Sequence, residues 1–186
     1  MNIHTATPLP TTPDEFLRWN EDREGKREFV EGKIVEMMVN TTFSHARLAM
    51  RFSMAFAGQL SDLDYSVTSA DFGVKINNSA RFPDVMVLRS SESASSLATS
   101  EPLVIVEILS PSTRVSDLGP KRIQYQSIPS MLHYLAVEQD EQKIMLWSRQ
   151  PDGAWSEMVD LVMDAPFTLS GLNVTIDPVK IYAGIV

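Results

Sequence analysis

Between Thr42 and Leu60 the apolar residues Leu48, Phe52, Phe56 and Leu60 recur every four positions, with Ala49 and Ala55 on adjacent rows. This spacing predicts an amphipathic helix, the clearest in the chain. A shorter helix is expected from Thr12 to about Trp19, because Thr12-Pro13-Asp14-Glu15 offers an N-cap hydroxyl, a proline in the first turn and an acid that closes a capping box. Arg27 to Met38 alternates around Glu31-Gly32, the pattern of a hairpin at a sheet edge. Strands are expected at Tyr65–Ser69 and Phe72–Ile76, then, after a turn at Asn77-Asn78, from about Pro83 through Val85, Val87 and Leu88. Residues 90–101 form a Ser-rich stretch, expected to be a mobile, exposed loop within the domain. Leu103 to Leu109 is apolar except for Glu107 and predicts a central strand buried on both faces. Pro120 opens a helix to about Ile128, with Asp117 as its cap. Met131–Glu138, Lys143–Arg149 and Trp155–Val159 then read as an antiparallel meander, its last two strands joined by Pro151-Asp152-Gly153. Asp177-Pro178 starts a short helix reaching Ile181 and Tyr182. Helices and strands mixed in this order define one α/β domain.

Composition narrows the class. With 186 residues, 44% hydrophobic and 22% charged, the chain fits a single globular domain, 1–186, with residues 1–11 expected to be a flexible tail. The absence of cysteine excludes disulfides, thiolate zinc sites and cysteine nucleophiles, and suits a reducing, cytoplasmic setting. No export signal or membrane span is expected. The net charge of −8 runs against strong sequence-independent affinity for nucleic acid, which rests on Lys and Arg. A local basic strip of Arg114, Lys121 and Arg122 is expected to offset it, giving weak, salt-sensitive binding.

The candidate chemistry begins with Glu107, since a carboxylate in a buried apolar strand costs several kcal/mol unless it is paired, protonated or metal-bound. A buried arginine partner, or a strand end in water, would also account for it. Arg81-Phe82-Pro83-Asp84 places a second carboxylate at the start of a strand, although Pro-Asp is also a common turn pair. Paired, Asp84 and Glu107 suit a hard cation such as Mg²⁺, bound by one or two carboxylates with phosphate oxygens and water. Zinc fits less well, because His4, His45 and His133 are scattered. His45 reads either as a polar residue near the helix start or as a substrate contact. Asp117, Lys121 and Tyr125 share a helical face, as an i,i+4 ion pair beside a tyrosine or as a group facing the acids. Ser110, Ser112 and Thr113 read as loop and cap residues, since no Gly-x-Ser-x-Gly elbow is present.

In order, Glu28-Phe-Val-Glu-Gly32, Arg81-Phe-Pro-Asp84, Glu107-Ile-Leu-Ser-Pro-Ser-Thr113, Asp117-Leu-Gly-Pro-Lys121, Tyr125 and Met131-Leu-His-Tyr-Leu-Ala-Val137 resemble the Uma-type restriction endonucleases of the PD-(D/E)XK superfamily, from about Thr12 to Ile185. The resemblance implies a restriction-endonuclease-like core, a mixed β-sheet flanked by helices. It implies Asp84 and Glu107 as metal ligands for Mg²⁺, with Mn²⁺ as a substitute, and Glu28 as a further acid of the catalytic site. The superfamily pattern sets a lysine two residues after the second acid, where this chain has Leu109; Lys121 resembles the migrated lysine of the family. Tyr125, Asp117, Arg114 and His45 become supporting or substrate-contacting residues. The implied activity is metal-assisted hydrolysis of nucleic acid, DNA first, by a homodimer. Two other readings stay open: a non-catalytic homodimeric binding or regulatory module that keeps the fold, and a hydrolase of another phosphate ester. A nuclease requires Asp84, Glu107 and Lys121 around one open site.

Overall fold

The computed structural model describes residues 8–161 and 163–186, so most of the expected tail, 1–7 with His4, lies outside the described residues. The chain runs α1 (Pro13–Asn20), β1 (Lys26–Val30), β2 (Lys33–Met37), α2 (Phe43–Ala57), β3 (Tyr65–Ser69), β4 (Gly73–Ile76), β5 (Ser79–Arg81), β6 (Val85–Arg89), β7 (Ala98–Thr99) and β8 (Pro102–Leu109). It continues through α3 (Arg114–Leu118), α4 (Pro120–Gln126), β9 (His133–Glu138), β10 (Ile144–Ser148), β11 (Val159–Asp160), β12 (Phe167–Leu169), β13 (Val174–Ile176) and α5 (Pro178–Tyr182).

Six strands form the main sheet in the order β11-β10-β9-β8-β6-β3. β8 and β9 are parallel because α3 and α4 cross over between them; the other pairs are antiparallel. Every residue of β8 is buried, as its near-continuous apolar run requires of a strand covered on both faces. Val104, Val106 and Ile108 face Leu48, Phe52 and Phe56 of α2 together with β12, β13 and α5. Ile105 and Leu109 face the opposite way, toward Tyr125 of α4 and Val74 and Ile76 of β4. The two-residue period therefore aims Glu107 into the layer under α4. A second sheet, β2-β1-β5-β4-β7, packs Phe29 and Ala80 on Phe16 and Leu17 of α1. β2 is an edge strand, and Glu31 and Gly32, both at positive φ (49° and 83°), make the tight hairpin turn expected of Glu31-Gly32.

Several expectations are corrected. The helix opened by Pro120 forms as α4, but its N-cap is Gly119, where a Cβ would stand 2.9 Å from the Val115 carbonyl, and the separate helix α3 precedes it. Asp117 lies inside α3 rather than capping α4. The Thr12 hydroxyl does cap α1, but the Glu15 carboxylate accepts from the Thr11 N–H and hydroxyl, one residue earlier than a capping box would have it. The Ser-rich segment ends in β7, which pairs with β4 in parallel. Trp155 makes only an isolated bridge to Arg149, and the third meander strand shrinks to β11. The β12–β13 hairpin has strands of three residues, too short for a two-residue period to be read.

Arg149 fastens the end of α4. Its guanidinium donates to the carbonyls of Met131 (2.7 Å), Gln126 (3.0 Å), Ile128 (2.8 Å) and Gly153 (3.0 Å). Arg149→Met is expected to cost about 2 kcal/mol, because one charged donor shared by four carbonyls is lost, although Gln126 and Ile128 keep the Trp155 Nε1–H and the Met131 N–H as donors. Urea denaturation followed by tryptophan fluorescence measures it. Among the described residues, no helix is long and apolar enough to cross a membrane.

Candidate active site

Strand β8, the segment before β6, helices α3 and α4, and strand β1 send polar side chains to the floor of a cleft of about 710 Å³. Asp84, Glu107, Lys121, Glu28, His45 and Asp117 all line it. The i,i+4 relation of Lys121 to Asp117 and Tyr125 survives the break at Gly119, so all three face Glu107. Lys121 Nζ stands 2.9 Å from Glu107 Oε1, 3.3 Å from Asp117 Oδ1 and 3.6 Å from Glu28 Oε1. The Tyr125 hydroxyl also donates to Glu107 Oε1, at 3.1 Å.

Arg81 completes the lower layer. It donates to Glu28 Oε2 (2.7 Å) and, through Nε and Nη2, to Gln124 Oε1. Glu28 is thus clamped between two cations, while Glu107 meets its donors on one oxygen only. Among the described residues nothing donates to Glu107 Oε2.

Asp84 is anchored in the same one-sided way. Its Oδ2 accepts the Ile108 N–H (2.7 Å) and lies 3.3 Å from His45 Nε2, and no donor among the described residues reaches Oδ1. His45 is held there by a closed chain of contacts. Its backbone N–H donates to the Thr42 hydroxyl, Thr42 contacts Gln139 Oε1, and Gln139 Nε2 donates to the Leu109 carbonyl, one residue from Ile108. The first turn of α2 is thereby locked to the end of β8. His133, by contrast, is sequestered: Nε2 donates to the Ser170 carbonyl, which leaves Nδ1 to accept from the Ser148 hydroxyl. Burial holds its pKa below the usual histidine value.

Burial dominates the electrostatics. It pushes the Glu107 carboxyl well above its ordinary value; Asp117 and Asp84 add to the rise, and Lys121 pulls it back only in part. Asp117 is raised for the same first reason. Its Oδ1 is buried without a hydrogen-bond donor, although Lys121 lies near enough to compensate charge. Burial also works against the Lys121 ammonium, but Glu107, Glu28 and Asp117 outweigh it and hold the lysine charged well beyond its normal range. Four carboxyl groups, Glu28, Asp84, Glu107 and Asp117, thus face two permanent cations, Arg81 and Lys121, and the cluster is short of positive charge.

Among the described residues no three His, Asp or Glu side chains are gathered as a ready-made metal cage. The donors nonetheless suit a hard cation that keeps most of its water, because two carboxylates each present an oxygen that no donor occupies. Arg81, Gln124, Thr42 and Gln139 were not assigned a place in the site by sequence reasoning. Arg81 stood in the motif before Asp84, but only the pairing of β1 with β5 reveals its partner. The expected basic strip does not form. Lys121 is buried, Arg122 lies over Trp147 and bonds Leu118 and Gln126, and Arg114, which pairs with Glu138, stands outside the cleft lining.

A mixed sheet flanked by helices, with an acid-and-lysine cleft at the end of its central strands, defines a restriction-endonuclease-like fold. The sequence profile of the Uma2 family, described as "Putative restriction endonuclease", matches residues 13–177, and the chain belongs to that family. Two proteins of Synechocystis sp. are similar to it, both named as uncharacterized. One, slr1290, is 30% identical over 154 residues, covering 81% of this chain and 80% of its own length; the other, sll1609, is 28% identical over 155 residues, covering 81% and 87%. The crystal structure of a "putative nuclease belonging to DUF820" from Anabaena variabilis superposes with a TM-score of 0.76 over 95% of this chain and 100% of that one. At 16% identity this likeness is one of fold.

Proposed function

We propose that this chain is a metal-dependent endonuclease that hydrolyses phosphodiester bonds of nucleic acid, DNA in the first place, with Asp84 and Glu107 as ligands of Mg²⁺ or Mn²⁺. The observation that carries this reading is the pairing of two carboxylates, each anchored through one oxygen and unengaged at the other, beside a buried, charged lysine on the floor of an open cleft. A bound divalent cation would polarise the phosphoryl oxygen and make a water acidic enough to attack at neutral pH.

The remaining work falls to the chain. Tyr125 and the Ile108 N–H fix the two carboxylates. Lys121, kept protonated by three acids, orients the attacking water and offsets charge that develops on the phosphate. Glu28, clamped by Arg81, fixes the lysine from below. The net charge of −8 is compatible with a substrate held mainly at the reacting phosphate, which gives weak affinity that falls further with salt.

Supercoiled plasmid tests the reading directly. Wild type with Mg²⁺ or Mn²⁺ is expected to nick or linearise it, with no product in chelator or with Asp84→Asn. Failure of the metal-loaded wild type on both DNA and RNA, or full activity in Asp84→Asn, would overturn the proposal.

A further inference from the structure

Helix α2 buries Leu48, Phe52 and Phe56 and leaves the opposite side apolar as well. Phe43, Met50 and Met54 are 73%, 61% and 66% exposed, and Ala46 and Ala57 are exposed between and beyond them. At 100° per residue these five positions fall within an arc of about 80°. One charge borders the stripe: Arg47 donates to the Gly184 carbonyl (3.1 Å) with its guanidinium 5.3 Å from the Phe43 ring centroid, while Arg51 is engaged with the Ile181 carbonyl (2.7 Å). Leu63, 90% exposed, follows just past the helix end.

Along the helix the sizes run large Phe43, small Ala46, large Met50, large Met54, small Ala57. A second copy of α2 laid antiparallel, on a two-fold axis near Phe52, sets Met50 against Met54 and Ala46 against the Ala57-Gly58 end, with Phe43 beyond it. Each contact then occurs twice, Met50 with Met54 and Met54 with Met50, as an isologous pairing requires.

The helix ends favour the same arrangement. The first turn of α2 has no acid and the last no base, so its own side chains leave the macrodipole uncompensated. Antiparallel pairing puts the positive end of one helix beside the negative end of the other. The five side chains of the stripe together expose roughly 500 Å² per chain, so pairing them fully buries roughly 1,000 Å² in total, the lower end for a specific interface.

We propose that the exposed face of α2 is a homodimer interface, two copies of this chain pairing through antiparallel α2 helices across the Met50–Met54 seam. This pairing is independent of the chemistry assigned to the cleft.

Sedimentation over about 1 to about 100 µM, the range in which interfaces of this size associate, is expected to show a monomer–dimer equilibrium. Met50→Glu should abolish the dimer while keeping the wild-type circular dichroism spectrum, since the residue is exposed, and Met38→Glu, on the loop after β2, should not. The chain has no cysteine of its own, so orientation can be read by cross-linking. Met50→Cys mixed with Met54→Cys should form a disulfide-linked dimer faster than either variant alone. A wild type that stays monomeric throughout would leave the face to a different partner and overturn the proposal. So would a dimer that Met50→Glu leaves intact, or one that links Met50→Cys to itself faster than to Met54→Cys, which marks a parallel pair.

Discussion

Lys121→Met is expected to destabilise the protein by about 3–5 kcal/mol and to abolish hydrolysis, the largest effect of any single change. The lysine is 5% exposed, and its ammonium is the positive group shared by Glu107, Asp117 and Glu28. Methionine fills much of its volume but removes the charge, leaving three buried carboxyls with Arg81 as their remaining permanent cation. They must then protonate or draw in water. The acids press on one another mainly through charge, so raising divalent cation should recover part of the lost stability in the variant, and more than it adds to wild type. Thermal denaturation with and without Mg²⁺ reads both changes. A variant as stable as wild type would mean that the acids do not depend on Lys121.

Glu107→Gln is expected to behave in the opposite sense. Glutamine is close in shape to the neutral acid, and burial already pushes the Glu107 carboxyl toward its neutral form. The fold should survive, while loss of a ligand should lower cleavage by several kcal/mol of barrier, roughly a thousandfold or more. The pH dependence follows from the same shift. Because the folded pKa lies above the ordinary value of 4.5, the folded state binds the proton more tightly than the unfolded chain does. Wild type is therefore best stabilised by this group below that value and loses the contribution as pH rises through the folded pKa. Glutamine does not titrate, so its stability relative to wild type should grow as pH rises across that window, with the cation absent. Melting temperatures on a pH series measure the difference. A gap that narrows instead would contradict the cause assigned to the shift.

What sequence reasoning reached in this fold follows from how far apart the interacting residues lie. Glu107 announced itself because one acid in a seven-residue apolar run breaks a local pattern, and burial of that whole strand carries the rule into three dimensions. Lys121 and Tyr125 were set on one face by helical spacing, and the face survives even though the helix is split, since Gly119 falls between Asp117 and Lys121. The split itself went unseen because a glycine before Pro120 reads equally as a helix entrance. Arg81 remained without a partner for a different reason. Its ion pair with Glu28 spans 53 positions and depends on the register Phe29↔Ala80, which, carried one residue on, sets Glu28 opposite Arg81. No periodicity within either segment contains that register. The contact chain through Thr42 and Gln139 is hidden in the same way, 97 positions apart, with Gln139 just past the end of its strand. The basic strip failed because Lys121 and Arg122, adjacent in sequence, lie about 100° apart around the helix and serve different neighbours.

The proposed mechanism requires Asp84 and Glu107 to hold one divalent cation. Calorimetric titration of Mn²⁺ and Mg²⁺ into wild type, Asp84→Asn and Glu107→Gln tests this without any assumption about substrate. Saturable binding of one ion per chain in wild type, lost in both variants while their circular dichroism spectra stay native, is the predicted result. Equal binding in all three proteins, or none in wild type, would contradict it.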